Sequence, residues 1–282
     1  RYDDPQGHGA AVAQPEDIDV LRKIAGSKQA ADITQGLMQT IRHDALPHIG
    51  QTIGGRHPGV GGAGRTGRFM GIGGYAAYRG WVDPYALDPP GMTSPVPEEA
   101  PVVASEAEQR FAWLIAQTEQ VVLQQHPTGT VFRYPYVYGP YQVRPREWSV
   151  IRRLLYGRRE IILPHYGLSL STHGWAGNLG HAVLLAVDRP EAAAGRIYNY
   201  GDLEQLTLAQ IVEVIAATLD RKVEVIPVPY AAAGTHKAMV LSPLGHQLLD
   251  LTRIRTELGY SDVLDVRTAL GQTVRWYVDH PP

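Results

Sequence analysis

From residue 68 onward, apolar stretches alternate with turn-forming residues in a rhythm typical of strands and helices. Apolar residues recur at spacings of three and four between 104 and 125, which predicts a helix. Further helices are expected at 150–156, 179–187, 208–219 and 266–278, the third with Thr207 as its N-cap. Short β-rich runs predict strands at 130–134, 160–163, 195–200 and 223–228. This alternation favours a parallel sheet covered by helices.

The first 67 residues do not follow this rhythm, and glycine becomes dense between 50 and 74. Residues 62–67 match the letters of a dinucleotide fingerprint, and residues 59–66 nearly match a phosphate-binding P-loop, with Arg65 in place of the lysine. The chemistry of both motifs needs a strand before the loop and a helix after it. Neither is predicted here, so we expect neither loop to bind phosphate.

Composition narrows the function classes. Hydrophobic residues make up 44% of the chain and charged residues 19%, an ordinary balance for a globular protein. The formal net charge of -2 gives no basic field, so neither nucleic acid nor a membrane is an expected partner. No apolar run approaches the roughly 18 residues that span a bilayer, and no signal-peptide pattern opens the chain. A cytoplasmic protein is the default expectation. The absence of cysteine excludes disulfides, thiolate catalysis and cysteine zinc sites.

Residues 133–140 read Arg-Tyr-Pro-Tyr-Val-Tyr-Gly-Pro, residues 197–201 Ile-Tyr-Asn-Tyr-Gly, and residues 257–260 Glu-Leu-Gly-Tyr. In order and spacing these segments resemble those of the extended short-chain dehydrogenase/reductase family, the NAD-dependent epimerase/dehydratase group. The stretch 68–78 resembles the family strand that ends in serines, and the 104–125 helix resembles the one that carries its Tyr-x-x-x-Lys motif.

The resemblance implies an α/β fold, a Rossmann-like doubly wound parallel sheet that is incomplete at its N-terminus, with a small C-terminal substrate lobe. Residues 1–140 would form the nucleotide-binding part, irregular before 68. Residues 141–282 would form the substrate lobe, with returning Rossmann elements at about 178–228. The chain start resembles the segment that follows the family's glycine loop. NAD or NADP is the implied cofactor, a small molecule such as a nucleotide sugar the implied substrate, and a homodimer through the 104–125 helix is expected.

The family's catalytic residues are missing from this sequence. The serine, tyrosine and lysine positions align with Gly74, Phe111 and Ile115, none of which can hold or move a proton. Candidates for a relocated acid/base are Tyr136, Tyr78 and Tyr75; the alternative for each is aromatic packing in the core. Two functions therefore stay open. One is an epimerase/dehydratase-like enzyme for a nucleotide sugar or related hydroxyl compound, with a degraded triad. The other is a catalytically silent member that binds a dinucleotide or metabolite and regulates or scaffolds.

The remaining site predictions also follow from the resemblance. The expected cofactor contacts lie at the ends of two strands: Gly71, Ile72, Gly73, Gly74, Tyr134 and Pro135. The expected substrate contacts are Tyr136, His173, Trp175 and Arg144. No metal site is expected, because His165, His173 and His181 are spaced by eight residues and no carboxylate joins them in a ligand pattern.

Overall fold

The computed structural model describes residues 69–142, 145–230 and 245–282. In chain order the strands are β1 (Met70–Gly74), β2 (Thr130–Tyr134), β3 (Tyr136–Tyr138), β4 (Glu160–Pro164), β5 (His173–Trp175), β6 (Ile197–Asn199) and β7 (Glu224–Val228). The helices are α1 (Arg110–Gln125), α2 (Arg146–Leu155), α3 (Ala176–Asp188), α4 (Pro190–Ala193), α5 (Leu208–Thr218), α6 (Thr252–Leu258) and α7 (Val266–Asp279). All strand pairs between these elements are parallel.

The central sheet has the strand order β1-β2-β6 and carries helices on both faces. Successive side chains of a strand point to opposite faces. Arg133 of β2 reaches Glu119 of α1 on one face, while Phe132 and Tyr134 pack with Leu179 of α3 on the other. The predicted doubly wound α/β sheet is therefore confirmed for the described residues.

A second core lies beside this sheet and joins α2, α5 and α7 to two small sheets. β4 pairs with β7, and β3 pairs with β5. Ile151, Ile215 and Val274 are fully buried in this core and tie the three helices together. Within the described residues, β6 pairs in the central sheet and α3, α4 and α6 pack in the core beside it, whereas β7 pairs with β4. The division into two parts with returning Rossmann elements at about 178–228 stays a prediction.

Several element ends differ from the predicted ones for local reasons. The helix predicted from 104 begins at Arg110, because the Gln109 side chain caps the amide of Ala112 and the preceding chain forms a bridge between Tyr78 and Val102. The Thr207 cap is confirmed, with a complete capping box through Gln210. β3 and β5 were not predicted, since each is three residues long and is marked by a turn-forming residue, Pro135 directly before β3 and Gly174 within β5.

Candidate functional site

The central strands bring their carboxyl ends together in register. Gly73 of β1 lies opposite Arg133 of β2, which lies opposite Asn199 of β6. Gly74 lies opposite Tyr134 at the very end. Ligands of doubly wound sheets bind outside such strand ends, so this edge is the first place to look for a site.

Two of the three positions aligned with the family's catalytic residues meet at this edge. A Cβ atom placed on Gly74 would lie 3.6 Å from Cδ1 of Ile115. Phe111 lies in the first turn of α1 and is 46% exposed. The serine and lysine positions are thus neighbours, as the alignment requires, but their side chains are a hydrogen atom and a hydrocarbon.

The predicted cofactor contacts on β1 and β2 are mostly covered by the protein itself. A Cβ on Gly71 would touch Val122 at 3.7 Å, and one on Gly73 would collide with the Glu119 carboxylate at 2.4 Å. Ile72 and Tyr134 pack in the core on the α3 face. Pro135 packs beside Gly174 of β5. At Gly71 and Gly74 an added Cβ would make only ordinary contacts, at 3.5 Å and beyond.

A buried ion pair takes up the space left by Gly73. The Arg133 guanidinium donates to the Glu119 carboxylate at 2.7 Å and to the Glu98 carbonyl at 3.0 Å. Both partners of the pair are at least nine-tenths buried. A buried pair with this many hydrogen bonds fixes geometry rather than adding much stability. We therefore interpret this ion pair as a rigid support for the ends of β1 and β2.

The three candidate tyrosines have different surroundings. Tyr78 is fully buried; its hydroxyl donates to Oδ1 of Asn199 at 2.7 Å, and the Arg133 guanidinium lies 4.6 Å from its ring centre. Burial raises the pKa of Tyr78 above its usual range. Tyr75 is half-buried, stacks at a tilt on Trp81 and lines a cavity. Tyr136 is buried, and its hydroxyl accepts from the amide of Arg146 at 2.7 Å.

The cavity lies where the second core meets the turn that follows β1, and its volume is about 480 Å³. The apolar residues of its lining include Trp81, Met92, Val150, Leu208, Ile211 and Ile215. The polar residues include Arg146, Glu147, Ser169, Ser171, His173 and Gln247. A concave site of this volume that combines apolar and polar side chains suits a small organic molecule.

Four side chains, three of which line the cavity, contact one another. The Arg146 guanidinium lies 3.9 Å from the centre of the Tyr136 ring, a cation–π contact. The Tyr136 hydroxyl donates to Oε2 of Glu147 at 3.4 Å. The His173 ring meets the Tyr136 ring edge-on at 5.4 Å. We call Arg146, Glu147, Tyr136 and His173 the polar cluster.

Burial shifts the titration of this cluster. Removal from water raises the pKa of Glu147 to about 7, while its own backbone amide, Arg146 and Tyr136 pull it down. Burial also lowers the pKa of His173 to about 4, although the Ser171 carbonyl raises it. Burial and the nearby Glu147 hold the pKa of Tyr136 well above its usual range. The Glu147 carboxyl thus keeps its proton up to about pH 7, and the His173 ring beside it is neutral above about pH 4.

Trp175 and Asp202 belong to a buried hydrogen-bond network outside the cavity lining. The Trp175 amide donates to Oδ1 of Asp202 at 3.0 Å, as does Nδ2 of Asn178, and the Tyr138 hydroxyl donates to Oδ2 at 2.8 Å. Burial raises the pKa of Asp202 to about 6. The Trp175 ring is buried away from the cavity lining, and its indole N–H has no hydrogen-bond partner in the described parts of the chain.

The sequence prediction and the structure overlap only in part. Of the predicted site residues, the cavity lining contains Tyr75 and His173. Arg144 lies outside the described residues, as do the two glycine motifs before residue 68. Glu147 and Asp202 were not predicted as site residues. For Asp202 a signal was available, because it follows directly on Gly201 at the end of β6, where parallel sheets place functional groups.

The described ranges contain neither a cluster of metal ligands nor a membrane-spanning helix. No group of three or more His, Asp or Glu side chains is placed there to hold a metal ion. No helix in these ranges has the length and apolarity to cross a bilayer.

Comparison with known proteins supports the predicted resemblance. The dTDP-glucose 4,6-dehydratase of Streptomyces griseus is 31% identical over 153 residues, which are 51% of this chain and 40% of that protein. The extended short-chain dehydrogenase/reductase resemblance is confirmed. No family model matches the sequence. The chain spans only 34% to 50% of the length of the curated relatives it matches.

Solved structures of the same group share the fold. UDP-glucuronic acid 4-epimerase from Bacillus cereus, solved with UDP-glucuronic acid and NAD, superposes with a TM-score of 0.58 at 14% identity, over 76% of this chain and 62% of that one. UDP-glucose 4-epimerase from Thermotoga maritima, solved with UDP-glucose, superposes with a TM-score of 0.58 at 18% identity, over 96% and 77% of the two chains. Identities this low establish the Rossmann-like fold alone.

Proposed function

We propose that this protein is an NAD(P)-dependent epimerase/dehydratase-like protein that binds a nucleotide sugar or a related hydroxyl compound in the cavity, with a degraded Ser/Tyr/Lys triad. The cavity itself carries the proposal, because both apolar and polar side chains line its volume of about 480 Å³. A sugar ring presents C–H faces and hydroxyl edges, which can contact both kinds of side chain. Arg146 adds a cation suited to an anionic part of the ligand.

The cofactor comes to the proposal by resemblance to neighbours solved with NAD. NAD(P), when bound, supplies a hydride acceptor or donor. The described residues fit this group only in part, since the Glu119 carboxylate fills the space beside Gly73, whereas a Cβ at Gly71 or Gly74 would make only ordinary contacts. We therefore assign no chemical step through the cofactor, and confine the roles below to this chain's own residues.

Among the three tyrosines, Tyr75 has the best access to a ligand. It lines the cavity, whereas Tyr78 is fully buried and hydrogen-bonded to Asn199. Tyr136 reaches the cavity through its contacts with Glu147 and His173. We propose Tyr75 as the hydroxyl that contacts the ligand, Tyr136 as a positioning residue, and Tyr78 as a core residue.

A catalytically silent member of the family is the second candidate function. The adjacency of Gly74 and Ile115 favours it, because the place where the family keeps its proton-transferring groups holds neither a hydroxyl nor an amine. Such a protein would bind the same class of metabolite without turning it over.

The experiment that tests both candidates combines binding with turnover. The chain is titrated with NADH, NADPH, UDP-glucose, dTDP-glucose and UDP-glucuronic acid by calorimetry, and each pair of cofactor and sugar is followed for product. Sugar binding with product formation supports the enzyme, and binding without product supports the silent member. Failure of every sugar to bind would overturn both. A homodimer through α1 and a cytoplasmic location stay predictions.

A further inference from the structure

Among the described residues, no cation is paired with Glu147, which lies at the cavity. It is the second residue of α2, its side chain is 6% exposed, and it contributes to the cavity lining. No ion pair within the described residues includes it. Its neighbour Arg146 directs its guanidinium over the Tyr136 ring instead. A carboxyl in such a place is more easily kept as the neutral acid, because a buried unpaired charge is costly.

His173, which also lines the cavity, is held as a hydrogen-bond acceptor. Its Nδ1 lies 2.6 Å from the carbonyl oxygen of Ser171. A carbonyl oxygen can only accept, so Nδ1 carries the proton and Nε2 of the neutral ring is left as an acceptor. This assignment follows from the partner and needs no titration argument.

The other groups around Glu147 do not change this picture. Among the described residues, the titratable or charged groups near Glu147 are Arg146 on its own helix, Tyr136 and Tyr138 on β3, Tyr277 on α7, and His173 behind Tyr136. From α5, which packs on α2, the cavity receives only the apolar Leu208, Ile211 and Ile215. Arg146 is the one cation of this set at neutral pH, and burial outweighs its effect on the pKa of Glu147.

We propose that Glu147 and His173 form a donor and acceptor pair that binds hydroxyl-bearing ligands, with Glu147 donating as a neutral acid to a ligand oxygen and His173 accepting from a ligand hydroxyl. The inference rests on the proposed function for the ligand class, a polyhydroxylated ring, and assigns this chain's own residues to it. Neither residue lies at a position aligned with the family's triad. Tyr136, which touches both, positions the pair.

The first test needs no ligand. Glutamate labelled with carbon-13 at the carboxyl is followed by NMR from pH 4 to 9 in the wild type, in Glu147→Gln, and in the control Glu213→Gln, whose residue is exposed on α5. In parallel, a water-soluble carbodiimide with a small amine labels carboxyls that are both protonated and reachable, and mass spectrometry locates the label. We expect one carboxyl that titrates near neutral pH and vanishes only in Glu147→Gln, and label on Glu147 at pH 6.5.

A normal titration of Glu147, or no label on it, would overturn the proposal, because a merely structural buried carboxyl is not reached by the reagent.

The second test adds UDP-glucose as a probe. Its affinity should fall at least tenfold from pH 6 to pH 8.5 in the wild type and stay nearly constant in Glu147→Gln, whose amide still donates. Bound UDP-glucose with no pH dependence would overturn the pair. No UDP-glucose binding would count against the proposed function, and the labelling would still decide the role of Glu147.

Discussion

The buried carboxyl of Glu147 makes the stability of the fold depend on pH. Its pKa rises from 4.5 to about 7 on folding, so the folded state holds a proton that the unfolded chain has lost between these values. Stability should therefore fall as pH rises through this window, by about 3 kcal/mol for this group. We expect Glu147→Gln to remove that fall, so that its urea-unfolding free energy, relative to wild type, rises between pH 4.5 and 7. A constant difference across the window would contradict the burial argument.

His173 acts in the opposite direction, because its pKa is lowered to about 4 in the folded state. Its contribution is present above the unfolded value near 6.5 and is lost as pH falls towards 4. We expect His173→Gln to flatten the acid side of the stability profile measured by urea unfolding. A variant profile parallel to that of the wild type below pH 6.5 would show that the ring is not held neutral.

Two glycines on β1 offer a matched pair for the strand-end packing. A Cβ at Gly73 would lie 2.4 Å from Oε1 of Glu119, whereas one at Gly71 would make ordinary contacts at 3.5 Å and beyond. We expect Gly73→Ala to destabilise the fold by about 2 to 4 kcal/mol, because it disturbs the buried pair with Arg133. Gly71→Ala should change stability by less than about 1 kcal/mol. Equal effects in urea unfolding would contradict the placement of Glu119.

At the residue scale, the positions aligned with the family's serine and lysine are neighbours in the structure, since a Cβ at Gly74 would lie 3.6 Å from Cδ1 of Ile115. The catalytic meaning of these positions stays a prediction. Glu147 carried no signal in the sequence, since it precedes the helix predicted at 150–156. Its significance comes from burial beside Tyr136, which depends on how α2 meets β3, and no local pattern encodes that meeting.

At the element scale, the N-cap at Thr207 stabilises α5, which contributes Leu208, Ile211 and Ile215 to the cavity lining. The Thr207 hydroxyl accepts from the amide of Gln210, and the Gln210 side chain accepts from the amide of Thr207. We expect Thr207→Ala to cost about 1 kcal/mol in thermal or urea unfolding, and Thr207→Ser to cost much less because it keeps the oxygen. Equal losses in the two variants would mean that packing of the threonine methyl, not the cap, matters.

The long elements were predictable because one face of each is buried and the period is visible. α5 and α7 were predicted to within a residue or so of their observed ends. β3 and β5 were missed, although they place Tyr136 and His173 together. The pairing of β3 with β5 is set by contacts between segments more than thirty residues apart in the chain. Local sequence patterns do not encode such contacts.

At the scale of the whole molecule, two cores meet around the cavity. The central sheet supplies the strand edge at Gly74, while the second core supplies the polar cluster. The helix-covered parallel sheet could be predicted from the alternation of elements, and its doubly wound form from the family resemblance. The cavity could not, because its walls come from Tyr75, α2, β5 and α5, which are far apart in the sequence.

The central claim, that the cavity binds a hydroxyl-bearing small molecule, is tested most directly by filling it. Ile211 lines the cavity from α5, so Ile211→Trp should occupy ligand space. The matched control is Leu155→Trp, at a site on α2 that is 42% exposed and outside the cavity lining. Calorimetric titration with UDP-glucose at pH 6 should show binding to the wild type and the control, and at least a tenfold loss of affinity in Ile211→Trp at unchanged circular dichroism. Equal affinity in all three proteins, or no binding to any of them, would contradict it.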